Sequence, residues 1–170
     1  MTIVISGFPG VGKSEFSRRI SGCVDSDSSH FSWLLENGQK VKDLDGKDIR
    51  HPDFPNNYIK HIKSLINGGQ TSIIFVSSHR DVRDALVKAE IPFVLVYPDR
   101  SLKDEYLARY SGRGSPEGFI NLIKNNWDDF LIELKEQVGC EHVVLSAGQF
   151  MADTIEFEKS DAQPKPPSPF

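Results

Sequence analysis

The sequence predicts a three-layer α/β/α fold around a parallel sheet of about five strands, and two observations predict it. Short β-branched or aromatic runs alternate with helical patterns along most of the chain, which is the order of βαβ units. Several of those runs are continuously apolar rather than alternating, as strands are when both faces of a sheet are covered. The length agrees, since 170 residues make one domain at roughly 100–200 residues per domain.

The first strand-like run, residues 2–6, leads into a glycine-rich stretch and a helix over 13–21 with Phe16 and Ile20 on one face. A weaker run covers 23–25. Residues 35–55 are polar and turn-rich, with Asn37-Gly38, Asp45-Gly46, His51-Pro52 and Phe54-Pro55, and a helix-like stretch follows over 56–67. This segment reads either as a surface insertion or as a substrate-binding excursion. The run 72–77 precedes a helix over 81–89 carrying Val82, Ala85, Leu86 and Ala89 at helical spacing, and a further run covers 92–97. Residues 101–118 begin helical and are then broken by Gly112, Gly114, Pro116 and Gly118. A long helix over 119–138 carries Phe119, Ile123, Trp127, Phe130, Leu134 and Val138 on one stripe, and the last run covers 142–146. Residues 158–170 hold four of the ten prolines and almost no apolar residue. They read as an extended or disordered tail behind a single domain over 1–157.

Composition excludes several classes. Apolar residues at 38% exclude a wholly disordered chain. A net charge of −4 gives no overall field for clamping duplex nucleic acid, although a local basic patch stays open. Two cysteines, Cys23 and Cys140, do not make a disulfide-stapled module; both read as small apolar residues on or beside strands. The five histidines show no metal-ligand spacing. The longest apolar runs fall far short of a membrane span, and Met1 leads into a strand without a basic n-region, so the expected location is the cytoplasm.

Gly7-Phe8-Pro9-Gly10-Val11-Gly12-Lys13-Ser14 fits G-x-x-x-x-G-K-[ST] at every position, between a strand and an amphipathic helix. Glycines let the backbone curl so that successive N–H groups point at phosphate oxygens, and the helix N-terminus adds partial positive charge. Lys13 can reach the β- and γ-phosphates, and the Ser14 hydroxyl can ligate Mg²⁺. A nucleoside triphosphate, ATP, is the expected ligand. No guanine-reading Asn/Thr-Lys-x-Asp follows a strand, which sets aside a switch GTPase, and the run 73–76 ends in Ser77-Ser78-His79-Arg80 without an acidic residue. The carboxylates for the site are therefore Asp25 and Asp27, after the second strand-like run, at the strand ends that border the crevice of an open sheet. A solvated acidic turn is the other reading of that pair.

This phosphate loop first, then an Asp-x-Asp, a polar insertion and a late arginine-bearing segment resemble the nucleoside monophosphate kinase group, which includes shikimate kinase and related small-molecule kinases. The likeness covers most of residues 1–155 and is strongest to phage- and prophage-type deoxynucleoside monophosphate kinases. It implies a sheet order 2-3-1-4-5, an acceptor-binding insertion over 35–67 and a closing lid over 101–118. It also implies that Gly7, Phe8, Pro9, Gly10, Val11, Gly12, Lys13 and Ser14 hold ATP, that Ser14 and Asp25 hold Mg²⁺, and that Asp27 faces the acceptor. The lid arginines Arg109 and Arg113 straddle the helix break and would swing onto the transferring phosphoryl oxygens; helix-end cations in solvent are the plainer reading. Arg80, after the third strand, would hold the acceptor phosphate, and Arg100 is a weaker candidate. The sequence departs from adenylate kinases in having Ser78, His79 and Arg80 where they carry an Asp-Gly.

Phe31, Trp33, Phe54 and Tyr58 flank the insertion and read as base-stacking or as packing of a small helical subdomain, with Phe31 and Tyr58 named for the acceptor. Asn56 and Asn57 read either as base contacts or as turn chemistry, and the resemblance puts the donor base beside Ala147-Gly148. The expected activity is transfer of the γ-phosphoryl of ATP to a (deoxy)nucleoside 5′-monophosphate. An alcohol acceptor, either a small metabolite or a hydroxymethylated base in DNA, and a non-enzymatic nucleotide-binding regulatory module stay open beside it. Neither a membrane nor a stable nucleic-acid partner is expected, and a homodimer is left open.

Overall fold

The computed structural model describes residues 1–155. The proline-rich tail expected over 158–170 lies outside the described residues.

Strand β1 (Ile3–Gly7) is the centre of the sheet. It is followed by α1 (Lys13–Arg19), β2 (Cys23–Asp25) and a short helix, α2 (Ser29–Ser32), that the sequence pattern does not announce. The polar insertion is a two-stranded antiparallel hairpin, β3 (Leu35–Glu36) and β4 (Gln39–Lys40), continued outward by bridges between Lys42 and Asp48 and between Trp33 and Arg50. Helix α3 (Asn56–Gly68) returns the chain to β5 (Ile73–Ser77), α4 (Arg80–Lys88) and β6 (Phe93–Pro98). A 3-10 turn at Arg100–Leu102 starts α5 (Lys103–Gly112), and α6 (Glu117–Glu136) leads to β7 (Glu141–Leu145).

The five strands β2-β5-β1-β6-β7 pair in that order, all in parallel. Counting sheet strands alone, this is the order 2-3-1-4-5. Every residue from Ile73 to Val76 is buried. Successive side chains point to opposite faces, so continuous burial means that both faces are covered, as the unbroken apolar run implies. The core joins the layers through aromatic rings: Phe16 of α1 meets Phe75 edge-on at 5.5 Å, and Trp127 of α6 meets Phe8 edge-on at 5.8 Å. The Trp127 indole N–H is satisfied by the Arg100 carbonyl at 2.8 Å. Arg83 is fully buried and bonds the Ser78 carbonyl, Gln137 and Glu133, tying α4 to the end of α6. A buried cation persists only with its donors satisfied in this way.

The segment read as a lid is built differently from the expectation. Helix runs on to Gly112, the break is the short turn 113–116, and Gly118 lies inside α6. Tyr110 at the end of α5 packs edge-on against Phe119 at the start of α6, at 5.2 Å. The two helices are thus packed together, with a hydrogen-bonded turn of four residues between them.

Candidate active site

The loop after β1 holds its shape because its carbonyls are occupied from outside. The Gly7 carbonyl accepts from Lys13 Nζ at 2.9 Å, that of Pro9 from the Tyr110 hydroxyl at 2.7 Å, that of Gly10 from Arg109 at 3.0 Å, and that of Val11 from the Met151 N–H at 2.9 Å. Gly10 and Gly12 have φ of +89° and +99°. A Cβ at Gly10 would approach the Tyr110 ring to 3.0 Å, and one at Gly12 the Phe150 ring to 3.1 Å. Glycine is therefore required twice, by backbone conformation and by space. With those carbonyls held, the loop keeps one shape where it enters α1, the end of a helix at which main-chain N–H groups can meet an anion.

A cavity of about 1080 Å³ lies over this loop. Gly7, Phe8, Pro9, Gly10, Gly12, Lys13, Ser14, Asp25, Asp27, Arg80, Arg109 and Arg113 line it. Val11 is the exception among the expected loop residues: its side chain is fully buried and its carbonyl faces Met151, so it supports the loop from behind. Phe8 likewise sends its ring into the core. Burial holds the Lys13 ammonium below the ordinary lysine value; Asp25 and Asp27 pull it back up, and Arg113 depresses it further. Both carboxylates and Arg113 are therefore within electrostatic reach of the Lys13 charge, a convergence from three separate elements.

A second cavity, of about 540 Å³, adjoins the first. The two share Asp27, His79 and Arg80 in their linings. The second cavity also takes Ser29, Trp33, Arg50, Phe54 and Asp81. Asp27 is fixed at the junction by an Asx turn, its Oδ1 accepting the Ser29 N–H at 2.9 Å. Arg80 opens α4 with an exposed side chain and pairs loosely with Asp84 at 3.6 Å. Burial pushes the His79 imidazole below the ordinary histidine value.

Several expected residues change role. Tyr58 is not an acceptor contact: it is fully buried, its hydroxyl donates to the Ser26 carbonyl at 2.6 Å, and burial pushes its pKa up to about 12. Phe31 is not one either, since its ring packs on Tyr58 at 5.2 Å and on His61 at 4.8 Å, against α3. Asn57 is turned inward, donating to the Phe31 carbonyl at 2.8 Å. Arg109 is no swinging cation in this structure: it bonds Gly10, Glu105 and the Gln149 carbonyl and lies over the rings of Phe150 and Tyr106. Arg113 is the exposed arginine of this pair; among the described residues its side chain meets the Ser115 hydroxyl and the face of Tyr110. Arg100 pairs with Asp128 on α6 and lines neither cavity.

The residue that sequence reasoning missed is Arg50, which lies in the polar, turn-rich segment 35–55 and was given no role of its own there. Its guanidinium lies 4.6 Å over the Phe54 ring and 5.3 Å from that of Trp33, and it pairs with Asp81 at 2.7 Å. Lys40 covers Trp33 at 4.6 Å, so one ring carries two cations. The available signal was the pair of aromatics flanking the insertion, which needed a cation from the same loop.

The donor set suits Mg²⁺ chemically. A serine hydroxyl and carboxylates are hard oxygen ligands, and Mg²⁺ takes one or two of these beside waters and substrate phosphates. Among the described residues no cluster of three or more histidine, cysteine or acidic side chains stands ready to hold a metal unaided. Among them, too, no helix is long and apolar enough to cross a membrane. Compared with models of known protein families and with curated proteins, the chain matches none.

Proposed function

We propose that the protein is a phosphotransferase that moves the γ-phosphoryl group of ATP to a (deoxy)nucleoside 5′-monophosphate. The observation that carries this reading is the junction of two cavities at Asp27, His79 and Arg80, one of them floored by the phosphate loop. A motif alone supports nucleotide binding; a second, separately lined cavity opening onto the same carboxylate supports a second substrate.

In this mechanism the loop N–H groups and Lys13 hold the triphosphate. Ser14 and Asp25 would hold Mg²⁺, which when bound would neutralise charge on the phosphate oxygens. Arg50 and Arg80 hold the acceptor phosphate. An acceptor oxygen forms a bond to the γ-phosphorus as the bond to the bridging oxygen breaks, and ADP departs with that electron pair. The acceptor oxygen is already ionised, so positioning and charge do the work and little base catalysis is needed. Arg113, beside the turn 113–116, contributes charge to the outer oxygens on closure.

An alcohol acceptor is the second reading, favoured by the Asp27 carboxylate at the junction, where it would take the hydroxyl proton. The test is transfer from γ-labelled ATP to a panel of nucleoside monophosphates, small alcohols and hydroxymethyl-base DNA. Label in a nucleoside diphosphate is the expected result. Label in an alcohol replaces the first reading with the second, and slow release of inorganic phosphate with every acceptor overturns both in favour of a regulatory module.

A further inference from the structure

Residues Phe8-Pro9-Gly10-Val11 form a β-turn closed by the Val11 N–H on the Phe8 carbonyl at 3.3 Å, with proline second and Gly10 third at a φ of +89°. That is the signature of a type II turn. A type I turn differs from it mainly by a flip of the central peptide, and glycine in third place accepts either form. The choice between them is therefore open to a contact from outside the turn. The Pro9 carbonyl, which belongs to that central peptide, accepts from the Tyr110 hydroxyl at 2.7 Å. Tyr110 is fully buried on α5 and lines neither cavity. The C=O and N–H of a planar trans peptide point in opposite directions. With the Pro9 carbonyl drawn toward α5, the Gly10 N–H faces away from that helix. The Tyr106 and Tyr110 rings close the α5 side of Gly10, so its other side is the one that meets the large cavity.

We propose that Tyr110 is a positioning residue for the phosphate loop, its hydroxyl holding the Pro9–Gly10 peptide in the orientation that presents the Gly10 N–H to an anion in the large cavity. The inference rests on the reading that this loop binds a nucleoside triphosphate. A comparison within α5 singles out the hydroxyl. Tyr106, one turn earlier, is equally buried, and its hydroxyl has no partner among the described residues. The two rings pack edge-on at 6.2 Å, and both lie against Gly10. Aromatic packing is thus common to the pair, and the bond to the loop is what sets Tyr110 apart. The next two carbonyls, of Gly10 and Val11, are held by Arg109 and by the Met151 N–H. Of the three bonds, that of Tyr110 is the one removed by deleting a single side-chain oxygen.

The experiment measures equilibrium binding of ATP and of inorganic tripolyphosphate to the full chain and to Tyr110→Phe and Tyr106→Phe, at a temperature where melts show each folded. Tripolyphosphate carries phosphates without sugar or base, so it reports on the loop alone. Tyr110→Phe keeps the ring against Phe119 and Tyr106 and frees the peptide to flip. Both ligands are therefore expected to weaken about fivefold and by the same factor, the scale of one neutral hydrogen bond. Tyr106→Phe is expected to bind both like the wild type. Unchanged affinities in Tyr110→Phe, whatever its melting temperature, would reduce the bond to a prop between α5 and the loop and overturn the inference. A matching loss in Tyr106→Phe would trace the effect to aromatic packing, and a loss for ATP alone would place it at the nucleoside; either overturns it too. Glycine-labelled NMR of the wild type reads the same point without a variant: the Gly10 amide should shift on adding tripolyphosphate, and a bound complex in which it stays still sinks the inference. A wild-type protein that binds neither ligand removes the nucleotide reading, and with it the inference that rests on it.

Discussion

The two cavities are built by opposite means. The larger rests on main chain whose outward carbonyls are held by Lys13, Tyr110, Arg109 and Met151. Gly10 and Gly12 have positive φ, and a Cβ at either would crowd an aromatic ring. The smaller is walled by side chains from separate elements, with one exposed ion pair between the insertion and α4 and another within α4. Arg50 and Asp81 are 51% and 41% exposed, and Arg80 and Asp84 are 71% and 58% exposed. Exposed pairs of this kind contribute little to stability and exchange partners readily. On the proposed function, the difference means that the donor side is preorganised, whereas the acceptor side has cations resting on carboxylates that an arriving phosphate would displace. Changes on the donor side should therefore alter the rate steeply, and changes on the acceptor side should alter affinity.

The largest effect is expected at Lys13. Lys13→Ala should lower phosphoryl transfer by at least about a hundredfold, the scale of losing a charge donor aimed at the transition state. The melting temperature should move only modestly, because the Gly7 carbonyl it leaves borders the large cavity, where water can replace the lost donor. Single-turnover transfer and a thermal melt on the same preparation check this, and full activity would break the donor half of the comparison. Next comes Arg50→Ala, with KM for the acceptor raised about tenfold while KM for ATP and kcat hold, as expected for loss of uniform binding. Steady-state kinetics with each substrate varied in turn decide it; a fall in kcat alone would make the acceptor side as preorganised as the donor side.

Tyr58 sharpens the comparison, since it lies against the acceptor side yet belongs to the core. Tyr58→Phe leaves the buried Ser26 carbonyl without its donor, so a stability loss of about 1–2 kcal/mol is expected, with both KM values unchanged. Chemical denaturation gives the first quantity; a raised acceptor KM would restore Tyr58 to the site.

What the sequence made legible follows the same division. The strand-like runs 2–6, 72–77, 92–97 and 142–146 lie within one residue of β1, β5, β6 and β7. Continuous burial leaves an unbroken apolar signal, which local reading detects. The phosphate loop was legible because its eight residues are contiguous. The lining of the smaller cavity was not, because it comes from three stretches, 27–33, 50–54 and 79–84, brought together only by the fold. Phe31 and Tyr58 were misassigned because an aromatic beside an insertion says nothing about which way it faces. The spacing of Tyr58, Ile59 and Ile62, all buried, was the available sign that Tyr58 lies on the core stripe of α3. The bond from the Gly148 N–H to Glu105 left no sign either, since it joins α5 to a turn after the last strand.

The smallest effect concerns His79, which both cavities share. Burial lowers its pKa from the ordinary 6.5, Arg50 and Lys13 push the same way, and Asp81 and Asp27 oppose them. The unfolded chain therefore binds the proton more readily than the folded one, and stability is greatest with the imidazole neutral. This contribution is fully present above pH 6.5 and is lost as pH falls from there through the lowered folded value. His79 stands at an exposed rim, where solvent screens it, so the change is modest. Melting temperatures of the wild type and His79→Gln between pH 7.5 and pH 5 should converge toward the acid end, the wild type falling more steeply. An acceptor phosphate adds the opposite charge beside the imidazole and raises its pKa, so saturating acceptor should flatten the wild-type slope. Parallel curves with and without acceptor would separate His79 from the acceptor cavity and leave the junction to Asp27 and Arg80.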